Sequence, residues 1–132
     1  MVTRVAECRC GQLKAACEGE PVWVSVCHCH NCQRRSGSAF AAQARWPAEQ
    51  VTVTGDVKVW TQRGDEGGLA SFRFCPQCGA TVAYELDTMP GLVAVAWGAF
   101  AGQELPPPRI SNYEVRKPPW VEITVEGVEH LD

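Results

Sequence analysis

Short runs of β-branched and aromatic residues, separated by Gly, Pro, Asp or Glu, recur along the whole chain. In residues 51–54 and 57–60, apolar and polar side chains alternate with period two, the pattern of a strand with one buried face. Val, Thr and aromatic residues fit a pleated surface well and are enriched in strands. The pattern predicts strands at residues 12–17, 22–26, 40–46, 51–54, 57–61, 70–74, 81–86, 92–97 and 120–125.

Helical periodicity is almost absent from the sequence. The best candidate is short, residues 31–36, and Gly37 would end it because glycine readily adopts the left-handed conformation of a helix C-terminus. No low-complexity linker or internal repeat divides the chain, and 132 residues fit one domain. We therefore expect a single mainly β domain over residues 1–132, whose thin core a structural metal would support.

Charge and hydropathy exclude two classes of partner. Twelve Lys and Arg against 15 Asp and Glu leave no basic footprint for a nucleic acid. No apolar run approaches the roughly 20 residues that span a bilayer, and the N-terminus lacks the apolar core of a secretory signal. We therefore expect a cytoplasmic protein, and thiols stay reduced in that compartment. Eight cysteines then favour metal ligands over the alternative of a disulfide framework.

Two cysteine pairs outside the centre of the chain suggest a closed metal site. Cys8 and Cys10 are followed by Gly11, and Cys75 and Cys78 are followed by Gly79. Each turn would present two thiolates on one side, and Gly79 permits a positive φ at which backbone N–H groups approach the sulfurs. Four thiolates are the usual ligands of a structural zinc, so we expect these pairs to share one ion; two unrelated buried pairs are the alternative.

A third cluster has one ligand fewer. Cys27, Cys29 and Cys32 lie within six residues, after a Val-rich run and before the predicted helix. A tetrahedral zinc held by three side chains keeps one position open for substrate or water. Cys17 is left over; it is either a buried structural thiol or a fourth ligand that would close this site.

These motifs occur in the order of a known family. C-x-C-G at Cys8–Gly11, C-H-C-x-x-C-[QR]-R-x-S-G at 27–37 and F-C-x-x-C-G at 74–79 resemble the glutathione-dependent formaldehyde-activating enzyme family. The centromere protein V family shares this domain. The late Pro-Trp-Val at 119–121 also looks like the closing P-W-V of the family, so the resemblance covers nearly the whole chain.

The resemblance implies an Mss4-like β-tent, built of short antiparallel strands around zinc knuckles. It also implies two zinc ions per chain, a structural one on the outer cysteine pairs and a catalytic one on Cys27, Cys29 and Cys32. In the family's named enzyme the second zinc handles glutathione as it combines with formaldehyde to give S-hydroxymethylglutathione. A thiol that reached such an ion would lose its proton, and proximity to an aldehyde would then favour a carbon–sulfur bond.

Other residues near the central cluster leave alternatives open. Arg34 or Arg35 would pair with a carboxylate of the thiol substrate, or form a surface salt bridge. His28 would shuttle the hydroxyl proton near neutral pH, or only hydrogen-bond the backbone; for His30 the structural role is favoured. Residues 111–113 read Ser-Asn-Tyr where many family members carry a histidine, so the natural substrate differs if that histidine shapes the pocket.

Three functions from different classes are compatible with these residues. The first is a zinc-dependent carbon–sulfur lyase, or the reverse addition, acting on a glutathione–aldehyde adduct or a similar thiol conjugate. The alternative is a non-enzymatic zinc-binding or scaffolding module in which both metals are structural; a redox or metal-buffering protein is a third. The sequence does not fix the oligomeric state, and exposed edges of a small β domain are compatible with a homodimer.

Overall fold

The computed structural model describes residues 2–64 and 66–132 and is mainly β, as the sequence predicts. The strands are β1 Thr3–Glu7, β2 Lys14–Glu18, β3 Trp23–Cys27, β4 Ala41–Pro47, β5 Val51–Thr54, β6 Lys58–Arg63, β7 Leu69–Phe74, β8 Thr81–Leu86, β9 Leu92–Ala96, β10 Ile110–Asn112 and β11 Glu129–His130. The helix α1 spans His30–Ser36, and 3-10 turns span Ala48–Gln50, Trp97–Phe100 and Glu114–Arg116. Among the described residues, the helical segments fall short of the length and apolar character that crossing a membrane requires.

The strands form two sheets. The smaller sheet has the order β1-β2-β5, and the larger has the order β11-β10-β3-β4-β9-β8-β7-β6. Neighbouring strands are antiparallel, except that β10 runs parallel to both β3 and β11. This architecture confirms the predicted fold of short antiparallel strands.

Most predicted elements are found where the pattern placed them. Each predicted run from residue 12 to residue 97 overlaps a strand, and the predicted helix is α1, which Gly37 ends with a φ of 70°. The strand predicted at 120–125 is wrong, because this segment forms no strand and Trp120 is 79% exposed. The two prolines that precede Trp120 lack backbone N–H groups, and they favour a turn over a ladder. The sequence pattern missed β1, β10 and β11, which are short and lie outside the strongly apolar runs.

The core lies where one face of the large sheet packs against the small sheet. Val24, Ala44 and Val95 face one another across β3, β4 and β9, and each is at most 1% exposed. Trp46 is fully buried, and its ring centroid lies 5.5 Å from that of Phe100. The first two strands and the turn between them add Ala6, Leu13, Ala15 and Cys17 to the same cluster.

On the opposite face of the large sheet, β3, β4 and β8 carry buried polar side chains. Successive side chains of a strand point to opposite faces, so the neighbours of the core residues point away from the core. These neighbours are Ser25, Gln43, Arg45 and Tyr84, which are at most 8% exposed. Buried polar side chains need partners, and this face therefore carries the candidate site.

Candidate functional site

The outer cysteine pairs meet in space. Cys8 and Cys10 follow β1, Cys75 and Cys78 follow β7, and their four Sγ atoms lie within 4.8 Å of one another. The Sγ atom of Cys10 is 3.6 Å from that of Cys8 and 3.7 Å from that of Cys75. Zinc–sulfur bonds of about 2.3 Å in a tetrahedron place sulfurs about 3.8 Å apart, so these donors fit a zinc ion.

Glycines shape the two turns that carry these cysteines. Gly79 has a φ of 80°, as predicted, and Gly11 has a φ of 85°. The N–H of Gly11 donates to the carbonyl of Cys8, and the N–H of Leu13 approaches the Cys8 sulfur at 3.3 Å. In the second turn, the N–H groups of Gln77 and Cys78 approach the Cys75 sulfur at 3.3 and 3.4 Å. Each turn thus aims backbone donors at a sulfur, an arrangement that stabilises the thiolate form.

Gln12 supports this cluster, and sequence reasoning missed it. Its side-chain Nε2 donates to the Cys75 sulfur at 2.9 Å and to the carbonyl of Asp56 at 2.8 Å. Although burial of the Cys75 thiol acts in the opposite direction, donors from Gln12 and from the backbone of Cys78 and Gln77 lower its pKa to about 6. The sequence carried one signal, the position of Gln12 directly after a C-x-C-G turn.

The central cysteines form a second cluster, which we call the trio. Cys27 ends β3, Cys29 caps the N-terminus of α1 and Cys32 lies in its first turn, with the three Sγ atoms within 4.8 Å of one another. The backbone N–H of Cys32 donates to the Cys29 sulfur at 3.3 Å. All eight cysteines are free, and Cys17 lies buried in β2 outside both clusters, where its thiol is 3.8 Å from the Ala15 carbonyl.

The trio holds one negative charge easily and further charges with difficulty. The thiols of Cys27 and Cys32 donate to the Cys29 sulfur and lower the pKa of Cys29. The same contacts raise the pKa of Cys27, because a second thiolate would face the first. A bound cation would remove this repulsion, and three sulfur donors suit zinc better than they suit the harder metals.

A cavity of about 410 Å³ opens beside the trio. The three cysteines line it together with residues of α1, of the polar sheet face and of β10, including Arg35, Gln43, Arg45, Phe72, Tyr84 and Asn112. A second cavity of about 950 Å³ is lined by Cys8 and Cys78 and extends to Arg35, but no trio cysteine lines it. The trio cavity therefore combines an incomplete set of metal ligands with enough space for a small molecule.

Hydrogen bonds fix the floor of the trio cavity. Gln43 Nε2 donates to Ser25 Oγ at 2.6 Å, and Tyr84 donates its hydroxyl to Gln43 Oε1 at 2.6 Å. Arg45 Nη1 donates to the same Ser25 oxygen at 2.9 Å. Sequence reasoning missed this network, although Gln43 and Arg45 are the polar alternate positions of an otherwise apolar run.

Of the two predicted arginines, the structure brings Arg35 to the cavity. Its guanidinium carbon lies 4.6 Å from the centroid of the Tyr84 ring and 5.2 Å from that of Phe72. Arg34 is exposed and does not line the cavity. A guanidinium that rests on two aromatic faces is oriented and partly desolvated, which strengthens its attraction for an anion.

The two histidines of the motif point away from the cavity lining. His28 is fully buried, its Nε2 lies 2.9 Å from Ser111 Oγ, and burial lowers its pKa. Its ring centroid is 5.8 Å from that of Phe40, whereas His30 is exposed at the start of α1. The segment that reads Ser-Asn-Tyr thus places Ser111 against His28 and Tyr113 in the cavity wall.

Comparisons with known proteins agree with this architecture. A crystal structure of a Rhodobacter sphaeroides protein superposes with a TM-score of 0.58 and is 21% identical, over 76% of this chain and 90% of that chain. No curated protein matches the sequence. The family model of the glutathione-dependent formaldehyde-activating enzyme matches residues 3–116. The chain therefore belongs to the glutathione-dependent formaldehyde-activating enzyme family.

Proposed function

We propose that the protein is a zinc-dependent carbon–sulfur lyase that reversibly joins a thiol, glutathione or a close relative, to formaldehyde or a similar aldehyde. The observation that carries the proposal is the trio itself. Three cysteine sulfurs converge at the wall of a cavity, and no fourth metal-binding side chain joins them in the described part of the chain. Family membership supports the same chemistry.

The two clusters would hold metal in different roles. Cys8, Cys10, Cys75 and Cys78 would hold a structural zinc, because they supply a full tetrahedral set next to the core. Cys27, Cys29 and Cys32 would hold the second ion. When bound there, zinc supplies an open coordination position that accepts a thiol and lowers its pKa.

The main contribution of the protein to the reaction is to hold the thiol and the aldehyde next to each other. The sulfur attacks the carbonyl carbon, the carbon–oxygen π bond breaks, and the thiol proton ends on the new hydroxyl oxygen; the reverse reaction breaks the carbon–sulfur bond. A cavity of about 410 Å³ holds both reactants together, which converts an encounter in solution into a reaction between neighbours. Arg35, oriented by Phe72 and Tyr84, anchors a carboxylate of the thiol.

His28 has a positioning role in this proposal. Its ring is buried against Ser111, and its backbone N–H donates to the carbonyl of Asn112 at 3.0 Å. These contacts hold β10 against the end of β3, where Cys27 begins the trio. The proton therefore passes between the thiol sulfur and the hydroxyl oxygen within the cavity, without the imidazole of His28.

The test joins metal content, ligand binding and rate. We expect about two zinc ions per chain and a cobalt-substituted spectrum that changes when glutathione is added. Exchange NMR then measures how fast formaldehyde and glutathione interconvert with S-hydroxymethylglutathione, compared with the spontaneous reaction. A spectrum that glutathione leaves unchanged, together with an exchange rate equal to the background, would instead support a zinc-binding scaffold.

A further inference from the structure

Arg45 is a buried cation on the floor of the trio cavity. It is 8% exposed, and its guanidinium carbon lies 5.5 Å from the centroid of the Trp23 ring. Burial of a guanidinium is unfavourable unless an anion or hydrogen-bond acceptors compensate for the lost water. Desolvation accordingly lowers the pKa of Arg45, although an arginine stays protonated at neutral pH.

Other residues of the protein compensate only partly for the hydration that the Arg45 guanidinium loses on burial. Among residues 2–64 and 66–132, no carboxylate forms a salt bridge with Arg45, and Ser25 Oγ is the acceptor of its one hydrogen bond. Tyr84 and the sulfurs of Cys27 and Cys32 attract the guanidinium electrostatically, but they do not accept a hydrogen bond from it. A guanidinium has five N–H donors, and Arg45 lines the cavity. The remaining donors are therefore available to a bound molecule.

The neighbours of Arg45 fix its direction. Ser25 Oγ accepts from both Gln43 and Arg45, and Gln43 is held in turn by the hydroxyl of Tyr84. These three partners are at most 5% exposed. The guanidinium is thus pre-oriented, which reduces the entropy that binding an anion would cost.

Arg45 and the trio line the same cavity, within reach of one small molecule. Its guanidinium contacts Ser25, which precedes Cys27 by two residues on the same face of β3. Two residues of a strand span about 7 Å, so a few covalent bonds and one hydrogen bond suffice to connect a sulfur at the trio with the guanidinium. A small thiol with its sulfur at the trio therefore reaches Arg45 with an acid group.

We propose that Arg45 binds a carboxylate of the thiol that occupies the trio cavity, and so selects thiols that carry an acid group a few bonds from the sulfur. Ser25, Gln43 and Tyr84 are positioning residues for this contact. The inference rests on the proposed function, because it names the substrate class of the same cavity.

The test compares two thiols of matched size on the zinc-loaded protein by calorimetry. 3-Mercaptopropionate carries a carboxylate, and 3-mercaptopropanol carries a hydroxyl group in its place. We expect the wild-type protein to bind the acid at least about tenfold more tightly, as a charge-assisted hydrogen-bonded pair implies. Arg45→Gln is expected to remove most of this preference and to change the affinity for the alcohol much less, whereas Arg35→Gln, at the other cation of the cavity, is expected to leave most of the preference in place.

Two further variants separate the contact from general charge effects. Arg34→Gln removes the same charge from an exposed site outside the cavity and is expected to preserve the preference. Arg45→Lys keeps the charge but loses the planar fork, and is expected to retain part of it. Zinc content and the melting curve of each variant report whether the fold is intact.

The outcomes distinguish this inference from the proposed function. Equal binding of both thiols by the wild-type protein, or equal weakening of both by Arg45→Gln, overturns the carboxylate contact and leaves the open thiol site standing. Failure of the wild-type protein to bind either thiol overturns the proposed function together with this inference.

Discussion

The two cysteine clusters have similar ligand chemistry and different surroundings. In both, the sulfur atoms lie within 4.8 Å of one another. In the outer cluster, Cys8 and Cys75 are at most 4% exposed and belong to the core between the sheets, while Cys10 is exposed and Cys8 and Cys78 also line the second cavity. The three trio cysteines are half-buried, lie outside the core cluster and line the trio cavity. Convergence of thiols therefore marks both clusters as sets that could hold a metal ion, and of the two only the outer one shares residues with the core.

Of the substitutions that test the difference between the two clusters, Cys75→Ser is expected to have the largest effect. Metal binding by small zinc domains contributes on the order of 10 kcal/mol to folding, which is comparable to the whole stability of a domain. We expect the variant to be mostly unfolded or insoluble and to lose the structural zinc. Circular dichroism and zinc analysis measure both effects.

Cys17→Ala is the matched control for that experiment. Cys17 is also a fully buried thiol, but it belongs to neither cluster. Its loss leaves only a small cavity and is expected to cost about 1–2 kcal/mol, with zinc content unchanged. A Cys75→Ser protein that melts like the wild type with full zinc content contradicts the structural assignment.

The second prediction concerns the other cluster. Cys29→Ser is expected to slow the glutathione–formaldehyde exchange to near background, a loss of more than about 100-fold if catalysis depends on the second ion. Its zinc content would fall by one ion per chain while the melting temperature changes little, because Cys29 lies outside the core cluster. His30→Ala, a change at an exposed neighbour, is the control and should retain both zinc and rate. Unfolding of Cys29→Ser to the same extent as Cys75→Ser would erase the distinction between the clusters.

The local part of both sites could be predicted from the sequence. Cys27, Cys29 and Cys32 lie within six residues, so their convergence follows from one strand end and one helical turn. The outer site joins two such turns, and sulfur chemistry alone suggests that Cys8–Cys10 and Cys75–Cys78 share an ion. Strands with strong apolar runs were also predictable, whereas β10 depends on parallel pairing with a distant strand.

The cavity floor could not be predicted, for a physical reason. Ser25, Gln43 and Tyr84 come from three different strands, and they meet only because of the strand order and register. A register shift of one residue would move each of them to the other face. Arg45 is likewise a buried cation only because β4 is central in the large sheet.

The third prediction concerns the stability that the Gln12 side chain contributes at the outer cluster. Gln12→Ala removes a donor to the Cys75 sulfur and the two hydrogen bonds between the Gln12 side chain and the Asp56 backbone. We expect a loss of about 1–3 kcal/mol and a melting temperature several degrees lower, without loss of zinc or activity. Gln77→Ala is the control, since Gln77 approaches the same sulfur only through its backbone N–H and should melt like the wild type. Equal effects of the two substitutions would show that the Gln12 side chain contributes nothing to the site.

The smallest expected effect on stability concerns Glu114, which lies next to β10, the strand that pairs with β3 where the trio begins. Glu114 follows β10, and its carboxylate lies 2.7 Å from His130 Nδ1. Although desolvation opposes the shift, hydrogen bonds from Ser111 and His130 lower the pKa of Glu114 below its ordinary value of 4.5.

A carboxylate with a lowered pKa stabilises the folded state above the unfolded pKa, and this contribution is lost as the pH falls. We expect Glu114→Gln to be slightly less stable than the wild type at pH 6, and the difference between the two melting curves to shrink below about pH 4.5. Acid release of zinc affects both proteins, so the difference isolates Glu114, and Glu129→Gln controls for the loss of an exposed carboxylate beside His130. A difference that grows as the pH falls would reverse the assigned direction of the shift.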